Sequence, residues 1–146
     1  MGEGLQDFSL DYFSLKGKTA LVTGGNTGLG QAYTVALAKA GADVFVVTHG
    51  TNWDETKGFL DNMEGNAEFF QADLSDRGQL QKVVPACVDA FGTVDILVNN
   101  AGTIRRNPLL EFNDQDWDDV IALNLDAVYF LSQAVAKVMV DKGSGK

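Results

Sequence analysis

The residues Thr23-Gly24-Gly25-Asn26-Thr27-Gly28-Leu29-Gly30 have the types and spacing to bind a pyrophosphate. Gly24 lets the backbone leave a strand in a tight turn. Gly28 lets backbone amides come close to the anion, and Gly30 lets the following helix pack tightly on the strand. The N–H groups at that helix start have no partner within the helix, and their partial positive charge favours an anion. A nucleoside-triphosphate P-loop is excluded, because no Gly-Lys-Ser/Thr closes the loop.

A second anion-binding candidate is the pair Arg105-Arg106. A guanidinium holds a carboxylate through two parallel hydrogen bonds, although a solvated loop pair fits the same residues. Asn124 stands among Val120, Ile121, Val128 and Leu131 at helical spacing. Its amide must find hydrogen bonds or cost about 1–3 kcal/mol, and a catalytic amide and a core amide fit equally. The single cysteine, Cys87, reads as a small buried apolar residue. No metal site is expected.

These residues need elements to position them. The run Thr19-Ala20-Leu21-Val22 predicts a first strand over about 18–23, and a helix over about 28–40 ends at Gly41. The near-continuous apolar run 43–48 suits a parallel strand buried on both faces. A short helix is expected over 54–63 and a third strand over 67–71. The next helix, capped by Ser75 and running to about Phe91, should be kinked or split by Pro85. A fourth strand, 94–98, opens into Asn99-Asn100-Ala101-Gly102. After a loop, Asn113 caps a long helix to about Asp141, its first turns loaded with Asp114, Asp116, Asp118 and Asp119. Residues 1–17 form an arm that Phe8, Leu10, Tyr12, Phe13 and Leu15 should dock.

Strands alternating with helices predict an α/β fold, a Rossmann-type doubly wound parallel sheet in three layers with strand order 3-2-1-4. Ligands of such sheets bind where the order reverses, between strands one and four, at their carboxyl ends. Residues 18–146 are thus expected to be the N-terminal part of one dinucleotide-binding domain, truncated before its second half.

The net charge of −9, with acids spread along the whole chain, argues against nucleic acid and anionic membranes as partners, both of which need a basic face. With no apolar run near ~18 residues and no signal peptide, the expected location is cytoplasmic.

The motifs Thr23-Gly24-x-x-x-Gly28-x-Gly30 and Asn99-Asn100-Ala101-Gly102 resemble those of the short-chain dehydrogenase/reductase family. Asp73-Leu74 is similar to the family's element after strand three, which contacts the adenine ring. The loops around 13–18, 99–106 and 110–120 resemble the bacterial 2-deoxy-D-gluconate 3-dehydrogenase and 2-dehydro-3-deoxy-D-gluconate 5-dehydrogenase group. The resemblance implies reversible hydride transfer between a nicotinamide dinucleotide and a secondary alcohol or ketone, here a sugar acid. It implies Thr23, Gly24, Asn26, Thr27, Gly28, Leu29, Gly30, Thr48, His49, Asp73, Leu74, Asn100, Ala101 and Gly102 at the cofactor, while Arg105 and Arg106 are expected at the substrate because they directly follow the fourth strand, at the end where ligands sit. It also implies that Asn124, in Ala122-Leu123-Asn124-Leu125-Asp126, helps hold a proton-relay water.

The family's Ser and Tyr-x-x-x-Lys should lie after residue 146. Tyr12 and Lys16 have the spacing but precede the first strand. The 146 residues alone are therefore expected to be inactive, with strand four at an exposed edge. NAD is the expected cofactor and NADP stays open, since the second strand ends Thr48-His49-Gly50-Thr51-Asn52 with neither an acid nor an arginine. The apolar residues of the last helix go round more than one stripe, and the resemblance implies a dimer or tetramer built on it. A non-catalytic dinucleotide-binding module and an assembly piece remain as alternatives.

Overall fold

The computed structural model describes residues 9–146. Four parallel strands, β1 (Thr19–Thr23), β2 (Asp43–Thr48), β3 (Ala67–Gln71) and β4 (Ile96–Val98), form one sheet in the order β3-β2-β1-β4. Between them run α1 (Gly28–Lys39), α2 (Asp54–Leu60) and α3 (Arg77–Phe91). After β4 come α4 (Asp114–Ile121), a π-helical turn (Ala122–Asp126) and α5 (Ala127–Lys142). This is the expected Rossmann-type parallel α/β arrangement.

Alternation along the strands builds two cores. Leu21, Phe45 and Val47 face one way, onto Leu80, Val83 and Cys87 of α3 and Leu131 and Val135 of α5. Ala20, Val44 and Val46 face the other way, onto Ala38 of α1 and Leu60 of α2. Both faces of β1 and β2 are thus covered, which is why their sequences read as unbroken apolar runs. Cys87 is fully buried, and desolvation pushes its thiol up to about 12. It is an inert packing residue.

Several local expectations change. The N-cap of α3 is Asp76, whose carboxylate accepts from the Gly78 and Gln79 amides. Ser75 is not the cap, because its hydroxyl donates to Asp73 at 2.6 Å. Pro85 does not split α3, which runs unbroken for 15 residues. Pro85 is exposed, so water can meet the carbonyl that its missing N–H leaves free. β4 is shorter than expected, three residues instead of five.

Of the arm, Leu15 packs against the α1 side of the sheet, and its N–H donates to the Ala40 carbonyl. Leu10, Tyr12 and Phe13 are largely exposed, and Phe8 lies outside the described residues. Lys16 lies against Gly41, just before β1, and pairs with Glu64.

The helix from Asp114 to Lys142 is 29 residues long, and by length and composition it would suit a membrane span. This corrects the expectation that no segment reaches that length and apolarity. Its residues Ala127, Leu131 and Val135 are buried against the sheet. The same helix leaves Leu125, Tyr129 and Val140 exposed.

The outer edge of β4 is not bare throughout. The Lys146 N–H donates to the Asp95 carbonyl, and the Leu97 N–H donates to the Lys146 carbonyl, both at 3.0 Å. That is the hydrogen-bond pattern of a parallel bridge across Ile96.

Asp95, buried just before β4, joins the last helix to the sheet. Its carboxylate takes the Thr19 amide at 3.0 Å and the Lys142 ammonium at 2.5 Å. Burial acts to raise this carboxyl, but the Lys142 and Thr19 hydrogen bonds and the Lys142 and Lys18 charges outweigh it and hold the group below its ordinary value.

Candidate active site at the strand switch

Beyond the carboxyl ends of the paired strands β1 and β4, the loops that follow them line a cavity of about 790 Å³. That size lies within the range of small-molecule sites. The glycine loop forms one wall. Gly24 leaves β1 with its N–H on the Val47 carbonyl at 2.7 Å. At Gly30 a Cβ would fall 2.0 Å from the Gly24 carbonyl oxygen, so only glycine allows this approach of α1 to the strand. At Gly28, with φ of +55°, a Cβ would meet no protein atom within 4 Å. The space over Gly28 is therefore left open by the protein.

The loop is braced from behind. Thr34 on α1 donates its hydroxyl to the Gly25 carbonyl, and fully buried Thr56 on α2 donates to the Asn26 carbonyl, both at 2.9 Å. The Asn26 amide donates to the Asn52 backbone and side-chain oxygens. The glycine loop and the loop after β2 thus hold each other.

The β4 wall is tied to β1 by a dense set of bonds. The Thr23 hydroxyl accepts the N–H groups of Asn100 and Ala101 at 3.0 Å and donates to the Val98 carbonyl. The Asn100 amide donates to the carbonyls of Thr23 and Gly24. Further along, the Thr103 N–H donates to the Asn124 amide oxygen at 2.8 Å, and the Asn124 amide nitrogen donates to the Thr103 carbonyl at 2.9 Å. Asn124 is exposed rather than set in an apolar stripe, and both halves of its amide are used on Thr103. It sits in the π-helical turn, where the Ala127 N–H reaches back to the Ala122 carbonyl. Such turns are frequent at functional sites.

The far end of the cavity lies over β2 and β3. Thr48 donates to the Gly50 carbonyl and Gln71 to the His49 carbonyl, which pins the backbone of this loop. The His49 ring is largely exposed, its Nε2 3.9 Å from Asp73 Oδ2. The Ser75 hydroxyl holds the Asp73 carboxyl below its ordinary value; burial opposes this, while the Ser75 backbone N–H and the His49 charge assist it.

Of the expected site residues, Gly24, Asn26, Thr27, Leu29, Gly30, Thr48, His49, Asp73, Leu74, Asn100, Ala101, Gly102 and Arg105 line one cavity. Thr23 lies beneath it, and Gly28, Asn124 and Arg106 are outside its lining. Arg105 is already engaged: it reaches Asp119 at 3.2 Å, Asp116 at 3.6 Å and the Thr103 hydroxyl at 3.0 Å. Asn52, Ser75, Thr103 and Asp119 also line the cavity and were not singled out from sequence. Asn52 stood in a stretch read only for charge, and Asp119 was read as a helix-start acid.

Could a dinucleotide fit? Open space over Gly28, the α1 N-terminus and a polar far end make a cradle for pyrophosphate with room for a nucleoside beside it. No tyrosine lines the cavity among the described residues.

Comparison with known proteins agrees with this architecture. Residues 18–146 match the family model described as short chain dehydrogenase. The chain is 49% identical over 144 residues to an uncharacterized oxidoreductase, YgcW, of Escherichia coli strain K12, covering 99% of this chain and 55% of that protein. It is 44% identical over 142 residues to the 2-dehydro-3-deoxy-D-gluconate 5-dehydrogenase of the same strain, covering 93% and 53%. A solved structure of a putative 2-deoxy-d-gluconate 3-dehydrogenase from Agrobacterium tumefaciens, with bound NADP, superposes with a TM-score of 0.79 at 45% identity, covering 90% of this chain and 51% of that one. The chain spans about half the length of the curated relatives it matches.

Proposed function

The chain belongs to the short-chain dehydrogenase family, and on that footing we propose that the protein carrying it is an NAD(P)-dependent oxidoreductase. It interconverts a secondary alcohol and a ketone on a sugar acid of the deoxygluconate type. The observation that carries this reading is the cavity over the β1–β4 switch, with the glycine loop on one wall, Asn100 to Gly102 on the other and Arg105 in its lining. The names of relatives such as the Escherichia coli 2-dehydro-3-deoxy-D-gluconate 5-dehydrogenase support the substrate class.

In this reading the amides of the glycine loop and of the α1 N-terminus take the pyrophosphate. Thr48 and His49 face the adenosine ribose, Asp73 and Leu74 the adenine. When bound, a nicotinamide supplies the hydride acceptor or donor. The exposed Arg106 draws in the substrate carboxylate, and Arg105 joins it when a carboxylate displaces Asp116 or Asp119. Asn124 holds the Thr103 backbone in the wall and, through it, the position of a relay water.

Removing hydride from an alcohol requires a base for the hydroxyl proton, and the reverse reaction requires an acid. His49 sits at the adenosine end, and Tyr12 and Lys16 precede β1, outside the cavity lining. We therefore place the acid/base outside these 146 residues and expect the isolated chain to bind dinucleotide without turnover. NAD is the preferred cofactor in this reading, while the NADP in the Agrobacterium relative keeps NADP open. A cytoplasmic location and self-association through the exposed face of α4 and α5 belong to the same proposal.

Calorimetric titration with NAD and NADP, together with an assay of NADH formation over a panel of sugar acids, tests it. Micromolar dinucleotide binding with turnover of a sugar acid by the full-length protein is expected. Dinucleotide binding without turnover by that protein would favour the non-catalytic module.

A further inference from the structure

The cavity has two lining residues that can carry positive charge, His49 and Arg105. Arg105 stands on the β4 side, held by Asp116 and Asp119. His49 alone stands at the β2 end, where a dinucleotide's adenosine ribose would lie if the proposed function holds. Its backbone is fixed by Gln71, which donates to the His49 carbonyl, and by Thr48, which closes the turn onto Gly50. Its ring is largely exposed, and its Nε2 is 3.9 Å from Asp73 Oδ2, too far for a hydrogen bond. The donor therefore remains available to a ligand.

We propose that His49 reads the adenosine 2′ position as a proton-gated selector. With a neutral ring, the site favours the 2′-hydroxyl of NAD; with a protonated ring, it takes the 2′-phosphate of NADP. The preference therefore shifts toward NADP as pH falls and the ring takes up its proton.

The charges facing the ring set the sign. Asp73, from the turn after β3, is its one ion-pair partner among the described residues. Asp76, further along that turn, acts on Asp73. Both are acids, so a neutral ring leaves a 2′-phosphate facing net negative charge. Protonation places an imidazolium between Asp73 and the phosphate. By linkage, phosphate binding must then favour proton uptake at His49 to the same degree that the proton favours the phosphate. The glycine loop and residues 48–52 contain no lysine or arginine that would hold the phosphate at every pH.

The phosphate itself has a second ionisation near pH ~6. Its protonation weakens NADP binding at low pH, and this opposite effect is common to wild type and variants. The informative quantity is therefore the difference between proteins.

Kd values for NAD and NADP are measured by calorimetry from about pH 6 to about pH 8.5, spanning the imidazole range, in wild type, His49→Gln and His49→Arg. Relative to His49→Gln, the wild-type ratio Kd(NADP)/Kd(NAD) should rise about tenfold across that range, as expected for one charge-assisted hydrogen bond. His49→Arg should favour NADP throughout, without the extra pH dependence. Parallel curves for wild type and His49→Gln would overturn the selector and leave the dinucleotide site standing. Failure of all three folded proteins to bind either dinucleotide would overturn the selector and the proposed function together.

Discussion

The hydroxyl of Thr23 accepts the backbone N–H of Asn100, and the side chain of Asn100 returns a hydrogen bond to the carbonyl of Thr23. The two residues thus close the bottom of the cavity from both sides, with Thr23 fully inside the protein. Thr23→Val keeps the shape and removes the hydroxyl. It should cost about 2–3 kcal/mol, because the Asn100 and Ala101 amides lose a buried acceptor. Chemical denaturation should show the loss, and NAD binding should weaken with it.

Gly28→Val should abolish measurable dinucleotide binding, because its side chain enters the open space over the loop. The positive φ adds strain of roughly 1–2 kcal/mol, so Gly28→Ala serves as the control with the same strain and less bulk. A loss of affinity of about a hundredfold or more in the valine variant, beyond that in the alanine variant, would correspond to roughly 3 kcal/mol of lost contact. Equal affinities for wild type and the valine variant would place the site elsewhere.

Arg106→Ala should lower kcat/KM for a sugar acid by about 10- to 100-fold and leave the uncharged sugar nearly unaffected, as expected for loss of a charge-assisted contact. Arg105→Ala should show the same selectivity with a smaller loss, because Arg105 must first leave Asp116 and Asp119. Equal losses on both substrates would show that neither arginine reads the carboxylate.

The Asp95–Lys142 bridge makes part of the stability depend on pH. The carboxyl of Asp95 is held below its unfolded value, so its contribution is present above pH ~4 and is lost as pH falls through the folded value. Lys142→Met should destabilise by about 2 kcal/mol near neutral pH, and the deficit should shrink on acidification below pH ~4. Thermal melts of both proteins across that range measure it. A deficit independent of pH would assign the effect to packing of the α5 end.

What was legible in the sequence was what local pattern decides. Unbroken apolar runs gave β1 and β2, glycine spacing gave the loop, and Asn113 caps α4 through the Asp116 amide as its position predicts. Choices between neighbours of the same type were not legible. Ser75 and Asp76 can both cap a helix, and the choice is made by Asp73, which captures the Ser75 hydroxyl. The capture of Arg105 by Asp116 and Asp119 needs the loop after β4 folded onto α4, a contact that helical periodicity does not contain. Asn124 was placed by α-helical spacing, and the π-helical turn around it breaks that spacing.

That turn has a consequence for the phase of the last helix. Ala127, Leu131 and Val135 keep a four-residue rhythm set by the sheet, while Asp116 and Asp119 keep one set by the loop that carries Arg105. The two rhythms answer to different surfaces, and the extra residue in 122–126 brings them into step. Were ordinary α-helical bonding to run through 122–126 with every residue kept, one half would turn against the other by about 100° and move away from it by about 1.5 Å. Either the acids would swing away from Arg105 or the apolar row would leave the sheet. The wide turn acts as a spacer that lets a single rod serve two mismatched surfaces.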